Sequence, residues 1–175
     1  MPYKPSVKYD VLANELLDGE NLQNALHFYE FVKSNKLSVS WAYNDKYNVN
    51  NKGKRICSIK FYKDVWQIVF FKRISDEMFD KLNLYLSDDM KQFFYENYTK
   101  AGCPGHVDIA QGKTCVYALN KVIFGQAVEN LCACNPLIFA NPTGKMLNFA
   151  KEFIIVIKKL LDENNTKKSK SILDL

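Results

Sequence analysis

Along the chain the spacing of apolar residues changes from helical to alternating and back again. Over 7–17, Val7, Val11, Leu12 and Leu16 share a broad helical face, and Asp18-Gly19 then breaks the chain. A second helix is expected over about 20–34, where Leu22, Ala25, Leu26, Tyr29 and Val32 form one stripe. From 37 to 73 the texture becomes β-branched and aromatic. "NNKG" at 50–53 reads as a hairpin turn, because Asn and Gly tolerate positive φ. Cys57, Ile59 and Phe61 fall on one face of a strand, with Ile56, Ser58 and Lys60 on the other. Trp66, Ile68 and Phe70 then alternate with Val65, Gln67, Val69 and Phe71. The pattern predicts three or four antiparallel strands in a meander, with 69–71 in a central strand covered by helices.

The helical period returns at 74–86, with Ser75 as N-cap and Met78, Phe79, Leu82 and Leu86 as the buried stripe. Ser87 caps a further helix. Short strands are expected at 114–119, 121–124 and 136–140. A long last helix is expected over about 143–163. Met146, Ala150, Phe153, Ile157 and Leu160 make its seam, widened by Leu147, Ile154 and Leu161. The predicted fold class is α+β: a small antiparallel sheet packed against helices, closed by a long C-terminal helix. Residues 1–163 are expected to form a single domain, with 164–175 a polar, disordered tail.

Composition supports a real core: 47% of the 175 residues are hydrophobic and 14% aromatic. The net charge is +5, and the tail's three lysines and one aspartate supply part of it. That leaves too little concentrated basic charge to favour a nucleic-acid binder. No apolar stretch is long enough to cross a bilayer, and the N-terminal segment has no apolar signal-like core. With five cysteines, an odd number, the expectation is a reducing, cytoplasmic setting and no membrane association.

Four of those cysteines, Cys103, Cys115, Cys132 and Cys134, lie with His106 in one stretch. A Cys₃His or Cys₄ zinc site could be assembled from them, although the spacing gives C-x-C once rather than paired C-x₂-C knuckles. Unrelated buried or surface thiols are the blander alternative. A redox pair at Cys132 and Cys134 is disfavoured by Pro136, which opposes the helical start that lowers a thiol pKa. A thiol-dependent enzyme pairing a cysteine with His106 has no local signature. There is no phosphate-binding loop, dinucleotide fingerprint or metalloprotease helix.

The other candidate chemistry is aromatic. Trp41, Tyr43, Tyr47 and Trp66 fall on neighbouring predicted strands, with Asn44, Lys54 and Arg55 nearby. Such residues can line a pocket for a planar or anionic small molecule. The expected ligand-binding set is Trp41, Tyr43, Asn44, Lys54 and Trp66. The reading is a non-enzymatic binding domain whose partner is a small molecule or a protein, with no certain cofactor; zinc through the C-terminal cysteines is the rival.

"WAYN" (41–44), "GKRICSI" (53–59), "WQI" (66–68), "FGQAVENLC" and "FANPT" resemble the sheet core of a group of uncharacterised small bacterial α+β proteins, over about residues 20–160. The plan is also similar to the YjbR-like and YdhG-like small domains. The YjbR-like resemblance implies DNA or ligand binding. The bacterial group often carries knuckle-like cysteine pairs around the region matching 103–115, where this chain has Cys103 and Cys115 singly.

Overall fold

A computed structural model describes residues 7–70, 74–100, 118–132 and 136–173, with the side chains of 99–100, 132 and 164–173 excepted. In chain order the elements are α1 (Tyr9–Leu16), α2 (Gly19–Ser34), β1 (Ser38–Trp41), β2 (Lys46–Asn51), β3 (Lys54–Tyr62) and β4 (Val65–Phe70). Then come α3 (Asp76–Tyr85), α4 (Asp88–Lys100), β5 (Ala118–Ile123), β6 (Gln126–Cys132), β7 (Ile138–Ala140) and α5 (Gly144–Leu173). The fold class is α+β, as expected. The chain divides into two compact units, one of Met1–Val69 with Phe139–Leu175 and one of Phe70–Ile138. In sequence, the second unit is an insertion between β4 and β7.

The first unit is built on a five-stranded sheet in the order β1-β2-β3-β4-β7. Period-two alternation gives it two unlike faces. Tyr47, Val49, Cys57, Ile59, Phe61, Trp66 and Ile68 are all buried. The Tyr9 ring of α1 meets Tyr47 and Phe61 edge-on at 5.2 and 5.1 Å, and Phe28 of α2 lies 5.7 Å from Trp66. The opposite face is polar. Its Ser58 hydroxyl donates to Asn48 Oδ1 at 3.0 Å, and Asn50 Nδ2 donates to Ser40 Oγ at 3.2 Å. A register shift at Val49/Asn50 pairs Asn50 with Arg55, so Ile56 is an extra residue and can be buried as Cys57 is.

The α2–β1 joint fixes where β1 lies against the helix. Lys36 takes a left-handed φ of 58°. Its N–H bonds the Lys33 carbonyl at 2.9 Å, and the Leu37 N–H bonds the Val32 carbonyl at 3.2 Å. This is a Schellman ending, completed by the buried pair Val32 and Leu37. At the far edge, β7 returns to β4. Asn141 accepts the Trp66 N–H on Oδ1 at 2.8 Å and donates its own N–H to the Trp66 carbonyl at 2.9 Å.

The α5 seam is Leu147, Ala150, Phe153, Ile154, Ile157 and Leu160, all buried, while Met146 is exposed. The helix runs to Leu173 rather than ending near 163. The sequence beyond 163 contains no Gly or Pro to stop it. Val69 is half-buried, so the expected cover on both faces of β4 is found on one.

In the second unit, Ser75 caps α3 by accepting the Met78 N–H at 3.2 Å, and Ser87 caps α4 by accepting the Met90 N–H at 3.3 Å. Phe79, Phe94, Tyr98 and Phe124 form one aromatic cluster, with Phe124 5.5 Å from Phe94 and 6.1 Å from Phe79. β5 and β6 pair as an antiparallel hairpin. Lys121 ties β5 to α3 through Asp76 Oδ1 at 2.8 Å and the Ile74 carbonyl at 3.0 Å. The expected strand over 114–119 falls partly outside the described residues.

Candidate functional site: an aromatic cleft beside β1

Within the first unit a cleft of about 780 Å³ opens between α1, α2 and the β1–β2 hairpin. That volume lies within the range of small-molecule and peptide-side-chain sites. Val39, Trp41 and Tyr47 form its sheet wall, Tyr9 and Tyr29 its helix wall, and Leu26 an apolar patch. Register explains the sheet wall: Trp41 lies opposite Tyr47, and Val39 opposite Val49, so alternate residues of β1 face the helices.

The wall is held in place by its own polar groups. The Tyr9 hydroxyl donates to the Ala25 carbonyl at 3.1 Å, and the Tyr47 hydroxyl donates to the Val7 carbonyl at 2.8 Å. Tyr9 stacks on Tyr29 with centroids 4.4 Å apart and 7° between planes. Trp41 stands edge-on to Tyr47 at 5.3 Å and 82°. Burial, and next the neighbouring Tyr47, hold the Tyr9 phenol well above its ordinary pKa. Burial, then Asp45 and Asp10, push Tyr47 up as well. Both phenols stay neutral at physiological pH, so they bring no charge to the wall, whose half-buried rings are Tyr29 and Trp41.

Charge is confined to the rim. Lys8 and Asp10 lie at the start of α1, and Glu30 and Lys33 lie on α2. Lys33 pairs with Glu30 at 3.3 Å and lies 5.0 Å above the Tyr29 ring. Trp41 Nε1 is buried with no hydrogen-bond partner among the described residues.

Of the five residues expected to form a pocket, the structure brings only Trp41 to this cleft. Trp66 is fully buried on β4, two strands away from β2, where it packs against Phe28. Tyr43 and Asn44 belong to the β1–β2 turn, where Asn44 has φ 47° and exposed Tyr43 has the Lys46 ammonium 5.1 Å from its ring. Lys54 begins β3 and is exposed. The single cavity drawn from all five does not form, because strands β2 and β3 separate the two tryptophans. Sequence reading missed Tyr9 and Tyr29 as site residues. Tyr29 fell in the stripe that helical periodicity assigns to core, and Tyr9 fell in no predicted stripe.

Cys103, His106, Cys115 and Cys134 lie outside the described residues, and Cys132 ends β6 with its side chain also outside them. Among the described residues no three His, Cys, Asp or Glu side chains gather as a metal site. Cys57 is buried, and burial pushes its thiol pKa up, away from a reactive thiolate. A second recess of about 640 Å³ between the end of α2 and α5 is lined by Lys36, Lys158, Lys159 and Asp162. The Asp162 carboxylate there is already taken by Lys52 at 2.9 Å, Lys158 at 3.0 Å and Asn51 at 3.1 Å. Among the described residues no helix is long and apolar enough to cross a membrane. Comparison of the chain with protein-family profiles, curated proteins and solved structures found no match.

Proposed function

We propose that the chain is a non-enzymatic binding module and that its partner enters the cleft between α1, α2 and β1. The observation that carries this reading is the aromatic wall in which half-buried Tyr29 and Trp41 face the cleft and buried Tyr9 and Tyr47 back them. Aromatic faces bring large contact area at low side-chain entropy cost. The hydroxyls of Tyr9 and Tyr47 are committed to backbone carbonyls, so they stiffen the wall rather than move protons. A stiff wall loses little freedom on binding, which favours affinity. The rim charges of Lys8, Asp10, Glu30 and Lys33 cancel, which suits a partner without strong net charge.

The test is a melting-temperature screen of the protein against single compounds and short peptides. A binder of the native state raises the melting temperature. The reading expects hits whose shift disappears in Trp41→Ala and persists in Tyr43→Ala. Hits that shift Trp41→Ala equally place the binding elsewhere and end this reading.

A further inference from the structure

The cleft runs beside a sheet edge whose hydrogen-bonding groups can be assigned. The Ala42 N–H donates to the Lys46 carbonyl at 2.9 Å, and the Phe61 N–H donates to the Asp45 carbonyl at 2.9 Å. Bonded and non-bonded pairs alternate along an antiparallel ladder. Counting back from Ala42, Ser40 and Ser38 are the β1 residues that bond β2. Counting on from Asp45, Tyr47 and Val49 bond β3, which leaves Asn48 and Asn50 for β1. Both counts agree. The N–H and C=O groups of Val39 and Trp41 therefore point away from β2, on the outer side of β1. β1 has β2 as its sole strand neighbour among the described residues. The side chains of the same two residues line the cleft.

Resting on the cleft reading, we propose that the occupant is an extended, uncharged peptide segment that adds to the sheet beside β1. Its main chain pairs with Val39 and Trp41, and every second side chain enters the cleft against Trp41 and Tyr29. Strand addition takes affinity from main-chain bonds and specificity from pockets for alternate side chains. A small planar molecule uses the aromatic wall alone; a strand also uses the two outward-facing residues that frame it. Charge argues the same way. The four rim charges sum to zero and Lys33 is held by Glu30, so nothing there singles out a phosphate or another polyanion. An apolar or aromatic residue flanked by neutral ones is the matching sequence.

The test selects nine-residue peptides from a random displayed library on the full chain, then measures the enriched peptide by fluorescence anisotropy. Methylating its backbone nitrogens one at a time should weaken binding at least tenfold at two positions spaced two apart. The position between them should change by less than threefold. Val39→Pro, which removes an outward N–H and no bond to β2, should weaken binding to a similar degree. Its circular dichroism and melting temperature verify the fold, and Ser40→Ala serves as a second, mild variant that should bind normally. Binding abolished by Trp41→Ala but indifferent to every methylation and to Val39→Pro would overturn strand addition and leave the cleft reading standing. No enriched peptide, or a β1 edge occupied by a second copy of the chain in sedimentation, also overturns it. Binding indifferent to Trp41→Ala would sink both.

Discussion

Asn141 ties the end of β7 to its neighbour β4 at one edge of the first unit's sheet, and its replacement should show how much that joint contributes. Asn141 stands at φ 42°, in the left-handed region, with Oδ1 2.8 Å from the Trp66 amide and its own N–H 2.9 Å from the Trp66 carbonyl. Replacing Asn141 with Ala removes the acceptor and leaves the Trp66 N–H in partly buried surroundings. An orphaned buried donor costs about 1–3 kcal/mol. Alanine also meets left-handed backbone less readily than asparagine does, at roughly 1 kcal/mol or more. The expected loss for Asn141→Ala is about 2–4 kcal/mol, a large share of the roughly 5–15 kcal/mol that holds a domain together. Asn141→Gly relieves the backbone but not the lost acceptor, so it should cost less than Ala, about 1–3 kcal/mol. Asn141→Asp keeps an acceptor at the same place and tolerates the same φ; it should lie within about 1 kcal/mol of the parent. Urea unfolding followed by far-ultraviolet circular dichroism gives all four stabilities on one scale. The reasoning fails if Ala lies within about 0.5 kcal/mol of the parent, or if Gly is as damaging as Ala.

Lys36 holds a left-handed φ of 58° in the turn from α2 to β1, so Lys36→Gly should stabilise by up to about 1 kcal/mol in the same urea assay. Hydrogen bonds from Lys52, then Lys158 and Asn51, hold the Asp162 carboxyl well below the usual carboxylate range. A depressed folded pKa supplies stability above the unfolded value, about 3.9, that is lost as pH falls below it. Asp162→Asn should therefore flatten the fall in melting temperature between about pH 5 and pH 2, and cost about 1 kcal/mol or less at pH 7 because the pair is partly exposed. Tyr9 and Tyr47 are shifted the other way, so their contribution is complete below the unfolded tyrosine pKa near 10 and is lost as pH rises above it. The melting temperature should drop above about pH 10, and Tyr47→Phe should drop less steeply there despite losing its bond to Val7. Phe124→Ala opens the Phe79–Phe94–Tyr98 cluster and should cost about 2–4 kcal/mol, with amide exchange in β5 and β6 quickening before that in β2 and β3.

Much of the fold was legible because its signals were local. Ser75 and Ser87 precede acidic first turns and do cap α3 and α4. "NNKG" does turn β2 into β3, with Lys52 and Gly53 at φ 47° and 80°. The α5 seam followed the helical period except at Met146. The misses share a physical cause, which is tertiary packing overriding local preference. β6 was hidden because its turn places Phe124 at φ 50°, a poor residue for that backbone, and the ring's contacts with Phe79 and Phe94 offset the strain. In the predicted α2 stripe Ala25 and Val32 are buried, but Leu26 and Tyr29 face the cleft and Phe28, outside the stripe, is fully buried. Trp66 and Trp41 are equally aromatic in sequence. Strand order separates them, because β2 and β3 lie between β1 and β4 in the meander.

The most direct test of the binding cleft uses the fully buried Trp66 as the residue to silence. In the Trp66→Phe protein, Trp41 is the one remaining tryptophan, and its emission reports the cleft wall alone. The account predicts that adding the enriched peptide changes Trp41 emission saturably, with the midpoint given by anisotropy, and shields the ring from a neutral quencher. Saturable peptide binding with Trp41 emission and quenching unchanged would contradict it.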